Sequence, residues 1–298
     1  MDQDIFYEQV RELVAAGLGE GMSLSLNRVS KNNGKIRDAL VITREGCSIS
    51  PTIYLDGFHK RFENGEPVGE IAGEIIDIYK NSVIKDDFNP DEFFDFEKVK
   101  DHIVYRIINR QKNEALLKEV PHVDYLDLAI VFCYIFTGGE FDNATILIRN
   151  NHMDIWDVGV SQLMECADEN TRKLQGLTVR SVFDYLKKIY GLKDIIPEDE
   201  ADSLPLYVMS NNSGIFGAGC ILYKGLLKSL SEKMESDFYV FPSSVHEVII
   251  LPDENRDAAE HFKDMVKEIN YTELSLEDIL SDSVYYYSRK DDDLVMLA

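Results

Sequence analysis

The chain has little positive charge. Its 298 residues carry 31 Lys and Arg against 54 Asp and Glu, a formal net charge of -23. Affinity for nucleic acid rests largely on neutralised phosphates, so this balance opposes direct binding. It opposes anionic membrane surfaces for the same reason. Basic residues meet as adjacent pairs at Lys60-Arg61, Arg172-Lys173, Lys187-Lys188 and Arg289-Lys290, and none of these grows into a cluster. The acids are spread along the chain, with a longest run at Asp291 to Asp293. They read as a solvated acidic surface that keeps the protein soluble. A decoy of a nucleic-acid enzyme is the alternative reading of the same charge.

Proline and glycine are also scarce, at 8 and 18 residues, which argues against long disordered linkers. The four cysteines, Cys47, Cys133, Cys166 and Cys220, are widely spaced and form no CxxC pair. Cys133 and Cys220 sit in apolar runs as small core residues. This pattern predicts a reducing, cytoplasmic setting. The start, MDQDIFYEQV, lacks the basic and apolar regions of a secretory leader. The longest apolar run, Leu128 to Phe136, is far below the ~18 residues expected of a membrane span and reads as a buried strand.

Complete ligand motifs are missing as well. His246-Glu247 lacks the second histidine of HExxH, since Ile250 stands there. His152, Asp154 and Asp157 surround Trp156 at a spacing that fits a packed loop better than a metal site. Gly214, Gly217 and Gly219 reverse the dinucleotide-binding order and suit a tight turn. Neither a metal nor a cofactor is expected.

What is present is regular patterning. Phe6, Val10, Leu13 and Val14 share one helical face, with Gly17 as the expected cap. Lys31-Asn32-Asn33-Gly34 predicts a hairpin turn before Ile36 to Ile42. An extended piece at Ile49 to Tyr54 precedes a short helix carrying Phe58 and Phe62. Pro67 opens a helix bearing Val68, Ile71, Ala72, Ile75, Ile76 and Tyr79.

Beyond the acidic, aromatic stretch Asn81 to Asp101, strands are predicted over His102 to Ile108, Tyr125 to Phe136 and Ala144 to Arg149. Helices are predicted at Asn113 to Lys118, Ser161 to Leu174 and Val179 to Tyr190. After the polar connector Pro197 to Ser203, strands are expected at Leu204 to Met209, Ala218 to Tyr223, Phe238 to Phe241, Glu247 to Leu251 and Val284 to Tyr287. Two more helices carry Leu226, Leu227, Leu230 and Met234, and Ala258, Phe262, Met265, Val266 and Ile269. Ser275 and Asp278 fit a capping box, and the tail DDDLVMLA is expected to fray. The irregular mixture predicts an α+β protein of mostly antiparallel sheets with flanking amphipathic helices. Two subdomains are expected, at residues 1–90 and 100–298.

Several segments carry a resemblance: Leu126 to Val131 (LDLAIV), Asn170-Thr171 following Ala167, and Pro242 to Val248 (PSSVHEV). The early KNNG and SPTIYLD and the late LSDSVYYY add to it. The chain resembles a domain-of-unknown-function family common in anaerobic Gram-positive gut bacteria. That resemblance implies a bacterial cytoplasmic protein and assigns no catalytic residue.

The densest polar grouping is Ser243, Ser244, His246 and Glu247. It holds a hydroxyl, an imidazole and a carboxylate, the types that nucleophilic catalysis uses. Alternation along a strand would place Ser244 and His246 on one face. No GxSxG elbow accompanies them. With Asn211 and Asn212 in the turn after the strand Leu204 to Met209, these residues are candidate contacts for a ligand or partner. The reading favoured here is a non-enzymatic protein that binds a protein or a small ligand. A hydrolase using Ser244 and His246 is the alternative.

Overall fold

The computed structural model describes residues 2–44, 52–82, 90–138, 143–182, 184, 206–242, 244–253 and 259–297. Ser243, Cys47, Lys187-Lys188 and the connector Pro197 to Ser203 lie outside the described residues. The chain divides into two compact units, Met1–Glu92 and Phe93–Ala298. The architecture is α+β, with antiparallel sheets throughout the described residues.

The first unit is a three-stranded meander of β1 (Met22–Ser30), β2 (Ile36–Arg44) and β3 (Thr52–Tyr54), with helices α1 (Gln3–Leu18), α2 (Asp56–Glu63) and α3 (Val68–Ser82). The hairpin turns where Asn33 and Gly34 hold φ of 57° and 68°, values that asparagine and glycine tolerate best. Its register pairs Leu26 with Leu40 and Leu24 with Ile42. Phe6, Val10 and Val14 of α1 pack with Leu40, Ile71 and Ile75 in one fully buried core. Two expectations needed adjustment. Leu13 is exposed, and α1 runs through Gly17 to be capped by Gly19 at φ 80°.

The second unit holds two sheets. In the first, β4 (Ile103–Asn109) pairs with β6 (Leu128–Ile135), which also pairs with β5 (His122–Tyr125) and β7 (Thr145–Leu147). Helix α4 (Val160–Gln175) lies against β4. The Thr171 hydroxyl accepts from the Tyr105 N–H at 3.0 Å and donates to Ala167 O at 2.6 Å. Asn170 Nδ2 donates to Lys100 O and Ile103 O. These two polar residues therefore fasten the helix to the strand end.

The other sheet has the order β13-β12-β10-β11-β9-β8. Its strands are β8 (Thr178–Ser181), β9 (Tyr207–Ser210), β10 (Phe238–Phe241), β11 (Val248–Pro252), β12 (Val284–Ser288) and β13 (Asp293–Leu297). Helix α5 (Leu226–Met234) precedes β10, and α6 (Ala259–Glu273) covers Tyr239, Phe241 and Val284 through Phe262 and Val266.

Six local expectations in this unit are corrected. The strand predicted over Tyr125 to Phe136 is broken by a turn at Leu126, φ 55°, and Asp127. Val179 lies in a strand, because its stretch pairs with β9; residues 183 and 185–190 of the predicted helix lie outside the described residues. Gly217–Leu222 is a 3₁₀ helix rather than a strand, since an apolar run buried on all sides has no period that tells the two apart. The tail forms β13, held by a five-residue ladder to β12. Ser275 and Asp278 make a turn with no helix after it, and Met265 and Ile269 of α6 face solvent.

Candidate functional site

The loop from Asn211 to Phe216 leaves the end of β9 and is folded by its own side chains. Asn211 is 2% exposed. Its Oδ1 accepts from the Gly214 N–H (2.8 Å) and Ser213 Oγ (3.0 Å), and its Nδ2 donates to Ile215 O (2.9 Å). This is the asparagine turn that the doubled asparagine suggested. Asn212 is exposed; its backbone N–H donates to Gln175 O, which ties the loop to the end of α4.

The loop then makes a forced turn. Phe216 holds φ 51°, an uncommon state for an aromatic residue. Gly217 follows where nothing larger fits. A Cβ there would lie 2.1 Å from Ser210 Oγ and 2.6 Å from both Asn211 N and His246 O.

The segment carrying Ser244, His246 and Glu247 is a bend, not the alternating strand expected. Ser244 makes a single bridge with Ile279. The Val245 N–H donates to Asp278 O (2.8 Å), and Val245 O accepts from the Ala218 N–H (3.2 Å). These contacts displace the strand geometry, so Ser244 and His246 do not meet as two residues on one face. Ser244 Oγ instead accepts from the His246 backbone N–H at 3.0 Å.

Both ring nitrogens of His246 are engaged. Nδ1 lies 3.3 Å from the Phe216 N–H, and Nε2 lies 3.1 Å from Asp278 Oδ1. A backbone N–H can only donate, so Nδ1 is the acceptor and the ring proton sits on Nε2, facing Asp278. Asp278 is held in turn by Ser275 Oγ at 2.6 Å. His246 is thus a tie between the 211–216 loop and the 275–278 turn. A base that relays a serine proton needs a ring nitrogen aimed at that serine, and here neither one is. Burial raises the Glu247 carboxyl above its ordinary range, while His246 and a hydrogen bond with Ser244 pull it down.

Held this way, the loop forms one wall of a cleft of about 50 Å³. The opposite wall comes from β4, β6 and β7. Its lining includes Val104, Arg106, Cys133, Thr145, Ile215 and Phe216. Arg106 was missed as a candidate, although the sequence carries its signal. It is the one charge in the strand IVYRIIN, whose other residues are all buried. Its strand partner is Val131. The guanidinium carbon lies 4.4 Å from the Phe216 ring centroid, a cation–π contact. The ring of Phe216 lies 5.8 Å from that of His246. The Nε of Arg106 is buried and has no hydrogen-bond partner.

Asp127 is a second polar centre that the sequence did not single out. Its carboxylate accepts from Ser281 Oγ (2.6 Å), Ser283 Oγ (3.1 Å) and the Tyr285 hydroxyl. Burial, then the Asp127 charge, raises the Tyr285 hydroxyl and keeps it a proton donor. This fastens the turn between β5 and β6 to the start of β12.

His152, Asp154 and Trp156 lie on a helix, Asn150–Trp156, rather than in the packed loop expected. His152 Nδ1 accepts from the Arg149 N–H, and its ring meets Phe93 and Trp156. Burial lowers its basicity. Burial raises the Cys133 and Cys220 thiols, which disfavours the thiolate at both. Among the described residues, no group of three His, Cys, Asp or Glu is placed to hold a metal ion, and no helix is long and apolar enough to cross a membrane.

Fold and site together define an α+β protein with a small cleft lined by a cation, Arg106. A family model described as a family of unknown function (DUF5688) matches residues 3–289. The chain belongs to that family. No curated protein and no solved structure matches it.

Proposed function

We propose that this protein acts by binding, without catalysis, and that its ligand-facing feature is the cleft between β4 and the 211–216 loop. One observation carries the reading: His246 commits both ring nitrogens to holding the loop, while the cleft's guanidinium lacks a hydrogen-bond partner at Nε. Asn211, Ser244 and His246 are then positioning residues. Asn212 and Glu247 are secondary contacts, and Ser243 belongs to the same candidate set from sequence. The occupant is a small ligand or the side chain of a partner protein. The net charge supports a target other than nucleic acid or a membrane surface. Free, widely separated thiols support a reducing cytoplasm, and the resemblance noted above supports a bacterial source.

The test is a thermal-shift panel of anionic, neutral and cationic metabolites, beside an esterase, peptidase and phosphatase screen. The reading expects a ligand that stabilises the parent and loses its effect in Phe216→Ala. Turnover by the parent that both Ser244→Ala and His246→Ala abolish, with neither variant losing stability, would overturn it in favour of a hydrolase.

A further inference from the structure

We infer that Arg106 is the docking point for an oxyanion, the carboxylate or phosphate group of a small acidic molecule. The inference rests on the binding reading above and names the ligand class for the same cleft. Four features converge on it.

The first is position. Arg106 sits at the middle of β4, between Val104 and Ile108 on one strand face. Those two residues belong to apolar clusters with Cys133, Ile135 and Val131. A charge placed in such a row is costly unless something pairs with it. The second is the missing partner. Buried Nε has no hydrogen bond, and among the described residues no salt bridge engages the guanidinium. That is notable in a chain with 54 acidic residues and 31 basic ones. None of the described residues lining the cleft is acidic.

The third is geometry. A guanidinium presents a planar fork of N–H donors that matches a carboxylate or phosphate in a two-point contact. The guanidinium carbon lies 4.4 Å from the Phe216 ring centroid, a cation–π contact that holds the fork in place. The fourth is size. A cavity needs roughly 10–15 Å³ to hold one water. A cleft of about 50 Å³ therefore takes a group of a few heavy atoms. It is too small to enclose a nucleotide or a sugar, whose sites measure roughly 300 Å³ and more. The cleft receives an anionic head while the rest of the ligand lies outside. Thr145 sits on the wall opposite the loop as a neutral hydrogen-bonding group that adds no competing charge.

Arg106 also explains why the loop is held so firmly. Asn211 folds it, His246 fixes the Phe216 amide, and Gly217 permits the close turn. The outcome of all three is the placement of one aromatic ring over one cation.

The test uses the full chain, labelled with ¹⁵N, at constant ionic strength and neutral pH. The Arg106 Nε–Hε resonance is assigned by its loss in Arg106→Lys. Three probes are titrated separately to tens of millimolar: inorganic phosphate, succinate and uncharged succinamide. A saturable shift of the Nε–Hε and Phe216 amide signals with either anion, and none with succinamide, is expected. In Arg106→Gln the affinity read on the Phe216 amide should fall roughly 10-fold or more, the loss of a charge-assisted hydrogen bond. Arg106→Lys keeps the charge without the fork and should bind between the two; it serves as the decisive variant if circular dichroism shows Arg106→Gln unfolded. Equal affinity in the parent and the variant that folds would place binding elsewhere and refute the inference. Phosphate against succinate tells which oxyanion is preferred. Succinamide binding without anion binding would refute the anion while leaving the cleft a binding site. Silence from all three probes would refute the oxyanion site, and silence in the wider metabolite panel as well would refute the binding reading itself.

Discussion

Replacing His246 with alanine removes two ring hydrogen bonds and a ring contact at once. The bond to Asp278 joins side chains that are 31% and 35% exposed, so water can take over part of it. Asp278 also keeps its 2.6 Å bond from Ser275. The Phe216 N–H loses the acceptor that fixes it in a left-handed backbone state. With a net value of roughly 0.5–1.5 kcal/mol per hydrogen bond, the pair and the lost packing come to about 2 kcal/mol. For a unit the size of Phe93–Ala298, that corresponds to a fall of about 4–8 °C in melting temperature.

The assay is direct, because the chain's one tryptophan, Trp156, is buried within this unit and reports on it alone. Amide exchange adds a local readout, in which Phe216 should lose protection while the β4 and β6 amides keep theirs. A cycle with Asp278→Ala should show coupling of about 1 kcal/mol. An unchanged melting temperature together with an unchanged Phe216 exchange rate would refute the assignment of His246 as a tie.

Asp127→Ala strips the acceptor from Ser281, Ser283 and the fully buried Tyr285, and should cost about 2–4 kcal/mol, seen as a lower urea midpoint at unchanged slope. Gly217→Ala forces a Cβ into two backbone atoms and should cost about 2–3 kcal/mol, with loss of ligand-induced stabilisation in the cleft. Glu247→Gln should stabilise the protein at pH 7. Burial raises the folded-state carboxyl above its unfolded value, so the folded state binds the proton more tightly and stability declines as pH rises through that window. The advantage of glutamine should vanish below the ordinary glutamate range, which paired thermal melts at the two pH values will show.

What the sequence determined alone is the local part of this molecule. The Asn33-Gly34 hairpin, the α3 stripe of Ile71, Ile75 and Tyr79 and the buried strand at Leu128 to Ile135 each follow from a turn residue or a period within a dozen positions. Asn211 was legible as a turn former for the same reason. Arg106 left a trace as a lone charge in an apolar strand, yet its meaning needed Phe216, which lies far along the chain. His246 read as a potential base until the fold set Phe216 and Asp278 on its two nitrogens.

The missed elements share this cause. Strand β13 exists because β12 offers it a ladder, and β8 exists because β9 does. Leu126 breaks a run of strand formers at the turn where Asp127 meets Tyr285, a residue 158 positions away. Local propensity is worth tenths of a kcal/mol to about 1 kcal/mol per residue, and a buried hydrogen bond or a strand partner outweighs it. Short-range chemistry therefore set the helices and hairpins, while pairing between distant segments decided which polar residues became scaffold and which cation was left facing a cleft.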